Sequence, residues 1–132
     1  MFDIYGFVDI YEIKTPGTPL LKYDRAHDNY YWSTEISEAL AQLEKYIYWA
    51  SDNRTELQDV IKKEKNIEVR IIKPRGVLII GSSDQLANEK ERDDFKILRS
   101  SLKNIDIILY DEIFHSLVNL KNGCKGLQHK YN

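Results

Sequence analysis

The chain has 132 residues, of which 42% are hydrophobic and 30% charged, and a formal net charge of −2. That length suits one domain with a real core rather than two, and no apolar run approaches the roughly 18 residues of a membrane span. The charge balance argues against a protein that coats nucleic acid by bulk charge, while Cys124 as sole cysteine and the scattered His27, His115 and His129 exclude intramolecular disulfides and a Cys-rich zinc site.

Asp3 and Gly6 interrupt the first apolar residues, which is not a signal-peptide pattern, so a cytoplasmic address is expected by default. "FDIYGFVDIYEIK" predicts two short strands around Tyr5-Gly6, and "TPGTP" stops the second. "LLKYDRAHDNYYW" reads as a connection without clear period. A helix follows, with Ile36, Ala39, Leu40, Leu43, Ile47 and Ala50 on its apolar stripe and Ser33 or Thr34 as cap. Thr55 and Gln58 fit a capping box for a surface helix to Lys65. Val77 to Ile80 forms an unbroken aliphatic run, as in a strand covered on both faces by helices. Asn88 and Glu91 fit another capping box, opening a helix to about Lys103 with Phe95, Leu98 and Leu102 as its stripe. Ile105 to Tyr110 is the last strand, Asp111 caps a terminal helix, and Gly123 ends it. The expected organisation is one α/β domain over residues 1–122, a mixed sheet between helices, followed by a loose polar tail over 123–132.

Chemistry is expected at "YEIK". Side chains alternate along a strand, so Val8, Ile10, Glu12 and Lys14 share one face. A carboxylate and an amine so placed suit phosphodiester hydrolysis: Glu12 is a hard oxygen donor for a divalent cation, and Lys14 can steer the attacking water or stabilise charge on the phosphate. The bland alternative is an exposed ion pair. Gln42 and Tyr46 lie one helical turn apart, with Glu38 a turn earlier on the same line; the bland reading is a half-exposed helix boundary. Lys22, Arg25 and Arg75 sit near loops as unassigned candidates for phosphate contact.

Glu-x-Lys on a strand followed by a helix with "QLEKY" resembles the PD-(D/E)xK nuclease superfamily, in the branch with a Q-xxx-Y helix. The blocks "YEIKTPGTPL", "SEALAQLEKY", "KPRGVLIIG" and "LRSSLKNIDIILYDEI" resemble more closely the Shedu anti-phage nuclease domain, over Val8 to Glu112. The resemblance implies a restriction-endonuclease-like α/β fold and a Mg²⁺- or Mn²⁺-dependent DNA endonuclease. It implies Glu12 and the Ile13 carbonyl as metal ligands, Lys14 as catalytic lysine, Gln42 orienting the site and Tyr46 supporting it. It also implies a homo-oligomer, a tetramer among the expected forms; no membrane partner is expected, for want of a long apolar run.

The superfamily's first metal ligand is an aspartate on the preceding strand, and only Asp3 and Asp9 precede Glu12. Asp9 points to the opposite face of a regular strand. With Tyr5-Gly6 at the centre of a two-residue turn, Asp3 pairs with Val8 and shares the Glu12 face, on the order of 13 Å away at strand rise. The expectation is therefore a fragment or short relative lacking the first ligand, part of the first strand and the opening helix. Lacking a second anion, Lys14 should salt-bridge Glu12 directly. An alternative follows: a catalytically incomplete nuclease-fold module that binds nucleic acid or partner subunits.

Overall fold

Val77, Leu78 and Ile80 are all buried, the first two on the central strand of the main sheet and Ile80 just beyond its end. A computed structural model describes the backbone of residues 1–130 and the side chains of residues 1–123, so Cys124 and His129 lie outside the described side chains. In chain order the elements are β1 (Ile10–Ile13), β2 (Leu21–Asp24), β3 (Asn29–Trp32), α1 (Thr34–Asp52), α2 (Arg54–Lys65), β4 (Gly76–Ile79), α3 (Glu89–Ser100), β5 (Ile105–Ile108) and α4 (Tyr110–Lys130). The class is α/β, with a parallel sheet in the order β1-β4-β5 and a separate antiparallel pair, β2-β3.

The sheet is thus parallel where a mixed one was expected; antiparallel pairing at its edge is confined to the isolated Phe2–Val8 bridge. β4 is central because its side chains are apolar on both faces. β1 lies at the edge, and its outward Ile13 is 65% exposed. Register places Glu12 beside Leu78 and Ile107 on one face, and Tyr11 beside Val77 and Asp106 on the other.

The core lies on the Glu12 face. Leu78, Ile80, Ile105, Ile107 and Leu109 join Ile36, Ala39 and Leu43 of α1 in one cluster. Phe95 of α3 enters that same cluster, where it meets Trp32 edge-on at 5.6 Å between ring centroids, instead of covering the opposite face of β4. The two apolar helices therefore do not sandwich the sheet. On the far face Tyr11, Ile13 and Asp106 remain exposed.

Local signals explain most helix starts. Ser33 Oγ accepts the Ile36 N–H at 3.1 Å and is held by the Pro19 carbonyl, which makes Ser33 the cap of α1. Asn88 caps α3, its Oδ1 accepting the Glu91 N–H at 2.9 Å, while its Nδ2 donates to Glu91 Oε1 at 2.6 Å, so the two side chains pair in place of the backbone return bond of a full capping box. The Thr55/Gln58 box does not form: α2 starts after Asn53 without a side-chain cap, and Gln58 Oε1 instead accepts the Ile71 N–H at 2.8 Å. Burying one face of the Val69–Ile71 segment outweighs a cap on an exposed helix end, since an unpaired backbone N–H costs more there. α2 buries no residue, as expected of a surface helix.

Three further differences have plain causes. The aperiodic stretch before α1 is a hairpin, because Leu21 faces the core while Tyr23 and Tyr30 pack together at 5.2 Å. α4 runs through Gly123, which does not end it. Asp111 does not cap α4: Glu112 does so by accepting the Leu109 N–H at 2.9 Å, and the Asp111 carboxylate turns to Ser83.

Candidate active site at the carboxyl end of the sheet

Glu12 and Lys14 emerge on one face at the end of β1, as strand parity requires. Lys14 Nζ lies 2.9 Å from Glu12 Oε1, a direct salt bridge with 39% of the lysine side chain and 23% of the glutamate side chain exposed. The backbone groups of Ile10 and Lys14 face β4, through bonds to the Arg75 and Ile79 carbonyls at 2.8 Å each. Those of Tyr11 and Ile13 alternate with them, so the Ile13 carbonyl lies at the open edge of β1.

Gln42 and Tyr46 form a second pair. Gln42 Nε2 donates to Tyr46 Oη at 2.8 Å on the exposed flank of α1. α1 lies over the Glu12 side of the sheet: a Cβ on Gly76, the neighbour of Ile10, would stand 3.1 Å from Ile47 and 3.6 Å from Leu43. The four expected site residues thus share one side of the sheet as two pairs, each bonded within itself. Gln42 makes its hydrogen bond to Tyr46 and none to Glu12 or Lys14.

Neither early aspartate joins Glu12. The turn is one residue longer than a two-residue hairpin: Phe2 pairs with Val8, so Asp3 stands opposite Phe7 and on the other face from Glu12. Asp3 Oδ1 accepts the Tyr5 and Phe7 N–H groups at 2.8 and 3.0 Å, and Gly6 takes the positive φ of 83° that the turn needs. Asp9 Oδ1 accepts the Arg75 N–H at 3.3 Å. Glu12 is therefore the carboxylate of the pair's own neighbourhood, and the described residues hold no group of three His, Cys, Asp or Glu side chains placed for a metal. Arg75 is also committed, forking onto Asp106 at 3.0 and 3.2 Å.

Residues to which pattern reading gave no part in the site close the carboxyl ends of the strands. Tyr110 Oη donates to the Lys14 carbonyl at 2.6 Å, and Gly81 donates its N–H to the Thr15 carbonyl at 3.1 Å. Gly81 has φ of 66°, and a Cβ there would stand 2.5 Å from the buried Leu20. The Asp111 carboxylate accepts the Ser83 N–H at 3.0 Å and the Ser83 hydroxyl. The signal that finds these residues is topological: ligands of parallel α/β sheets bind beyond the carboxyl ends of the strands.

The Ser83 hydroxyl and N–H, with a smaller contribution from His115, hold the Asp111 carboxyl below its ordinary value. A carboxylate stabilised in the folded state adds stability above its unfolded pKa and loses it as pH falls through the folded one. Asp111→Asn should therefore flatten the fall of thermal stability with acidification below the ordinary aspartate range, near pH 4. Melting curves from pH 6 to pH 2 check this; parallel profiles for both proteins would contradict it.

What fold and pair define is an α/β domain presenting an acid–lysine pair at the end of an edge strand. A family model described as "Shedu protein SduA, C-terminal" matches residues 1–114, and the chain belongs to that family. It is similar to Shedu protein SduA of Bacillus cereus (strain B4264), 28% identical over 120 residues that make up 87% of this chain and 31% of the relative. The chain thus spans about a third of the length of that curated relative. Among the described residues no helix is long and apolar enough to cross a membrane.

Proposed function

We propose that this domain is the Mg²⁺- or Mn²⁺-dependent DNA endonuclease module of an anti-phage defence protein, acting in the cytoplasm on a restriction-endonuclease-like fold. The observation that carries this reading is the Glu12–Lys14 pair, held on one face at the end of β1 with the Ile13 carbonyl at the adjoining open edge. Family membership supports the defence role. The exposed Phe114, Leu117, Val118 and Leu120 of α4 support assembly into a homo-oligomer, as in a tetramer.

The donors fit a hard cation in kind: the Glu12 carboxylate and the Ile13 carbonyl would hold it, and Mg²⁺ takes such oxygens beside substrate phosphates. When bound, the cation supplies Lewis-acid stabilisation of the phosphate and a more acidic water. Lys14 supplies a positive charge beside the scissile phosphate, in a place fixed by the backbone bonds of its own residue. Glu12 orients that ammonium through their salt bridge. Gln42 and Tyr46, tied to each other on the same side of the sheet, form a polar flank for the DNA backbone.

One carboxylate is the lower limit for Mg²⁺, so affinity without DNA should be weak and should rise when DNA adds phosphate oxygens. The test combines calorimetric metal titration, with and without a non-cleaved duplex, with plasmid cleavage by the natural protein and its Glu12→Ala variant. Glu12→Ala is expected to abolish both metal-dependent cleavage and the DNA-enhanced metal binding. Cleavage unchanged by Glu12→Ala would remove the nuclease reading.

A second reading, a catalytically incomplete module that binds nucleic acid or partner subunits, is favoured by one fact. The Glu12 carboxylate is already paired with Lys14, while Asp3 and Asp9 are spent on the backbone elsewhere. Duplex binding by the natural protein that is retained in Glu12→Ala, with no metal-dependent cleavage by either, would establish that reading.

A further inference from the structure

The geometry points to Tyr110 as a positioning residue for Lys14, an inference that rests on the nuclease reading of the Glu12–Lys14 pair. In the parallel ladder between β1 and β4, Lys14 donates its N–H to the Ile79 carbonyl at 2.8 Å. The regular continuation would return the Gly81 N–H to the Lys14 carbonyl. Gly81 departs from strand conformation, and its N–H goes one residue further, to Thr15. The Lys14 carbonyl is left out of the ladder at that step.

Tyr110 fills the gap. Its side chain, half-buried at the start of α4, reaches to the end of β1 and donates its hydroxyl to the Lys14 carbonyl at 2.6 Å. Its own N–H meanwhile holds the Gly81 carbonyl at 3.0 Å, and Ile80 is tied to Ile108 at 3.1 Å. One residue thus pins the ends of all three parallel strands. Lys14 is anchored at both its N–H and its C=O, the first by β4 and the second by a side chain 96 positions later in the sequence.

The anchoring matters because lysine has four rotatable side-chain bonds, and a main chain free to fray adds further freedom to the ammonium. A reacting group displaced by a fraction of an ångström loses much of its effect. The Tyr110 hydroxyl is spent on the Lys14 carbonyl, so its assigned role is exerted through Lys14.

Tyr110→Phe removes one hydroxyl and keeps the ring. Two readouts test it. In Mg²⁺-dependent cleavage by the natural protein, kcat is expected to fall about tenfold while KM for duplex DNA stays within about twofold. Independently of activity, the Lys14 amine, freed from its fixed approach to Glu12, should acylate a few times faster relative to the exposed Lys22, as read by peptide mass spectrometry at one pH. Unchanged labelling of Lys14 overturns the proposal, as does a cleaving protein whose kcat is unaltered by Tyr110→Phe. Faster labelling together with cleavage indifferent to Lys14→Ala supports the positioning role and overturns the nuclease reading instead.

Discussion

Lys14→Ala is expected to lower metal-dependent DNA cleavage by about two to three orders of magnitude, the loss typical when one preorganised charge or donor is removed from a transition state. The ammonium sits 2.9 Å from Glu12 at the end of a strand, held by its main chain on two sides. No other lysine or arginine is bonded to Glu12 among the described residues, so no neighbour takes over the charge. Stability should hardly change, because the pair is partly exposed and such salt bridges contribute about 0–1 kcal/mol. The discriminating comparison is plasmid nicking against melting temperature. Cleavage within threefold of wild type, at an unchanged melting temperature, would sink the role of Lys14. Lys14→Arg separates charge from geometry: a planar guanidinium keeps the charge and changes the donor shape, so partial recovery is expected.

Leu78→Ala carries the largest expected effect on stability, about 3–5 kcal/mol, the upper part of the range for truncating a fully buried leucine. Leu78 is fully buried in the middle strand, beside Glu12 and Ile107 in register, and is enclosed by the cluster that unites α1, α3 and the sheet. No element is free to close over the cavity without leaving its strand or helix register. Since a domain of this size is stable by about 5–15 kcal/mol, the variant should be marginal. Urea unfolding gives the value. Ile13→Ala is the control on the adjacent strand: Ile13 is 65% exposed, and its loss should cost no more than about 0.5 kcal/mol. Equal losses at the two positions would mean that the edge of β1 is covered in solution.

Several parts of this architecture are legible in the chain because they depend on near neighbours. The stripe from Ile36 to Ala50 and the caps at Ser33 and Asn88 depend on residues three or four positions apart, and the observed helices start where those caps lie. The aliphatic run Val77–Ile80 supplies the central strand, as its composition suggests: Leu78 and Ile80 on the core face and Val77 on the other are buried, while Ile79 stays partly exposed. The sharing of a face by Glu12 and Lys14 needs only strand alternation.

Long-range choices were not legible. The hairpin β2–β3 carries no clean period because its aromatic residues are divided between the core, the partner strand and solvent: Trp32 meets Phe95, Tyr23 meets Tyr30, and Tyr31 is exposed. The turn before β1 is a case where a local clue was present, since Asp3 precedes two N–H groups it can accept, and that cap sets a register one residue away from the two-residue turn. The shift moves Asp3 to the other face and takes it from the candidate site.

By itself, then, the sequence determined the α/β class, the main helices, the central aliphatic strand and the Glu12–Lys14 face, because hydrophobic period, capping and strand parity act over a few residues. Tertiary structure decided that β1 is an edge, that α1 and α3 feed one core, that Gln42 bonds Tyr46 instead of Glu12, and that Tyr110 holds Lys14. These are competitions between partners far apart in sequence, settled by which buried polar group would otherwise go unpaired and which apolar face would otherwise stay wet. Lys14 shows the division most plainly: its place on the strand follows from alternation, whereas its anchor is a hydroxyl 96 residues away that only the closing of the sheet brings within 2.6 Å.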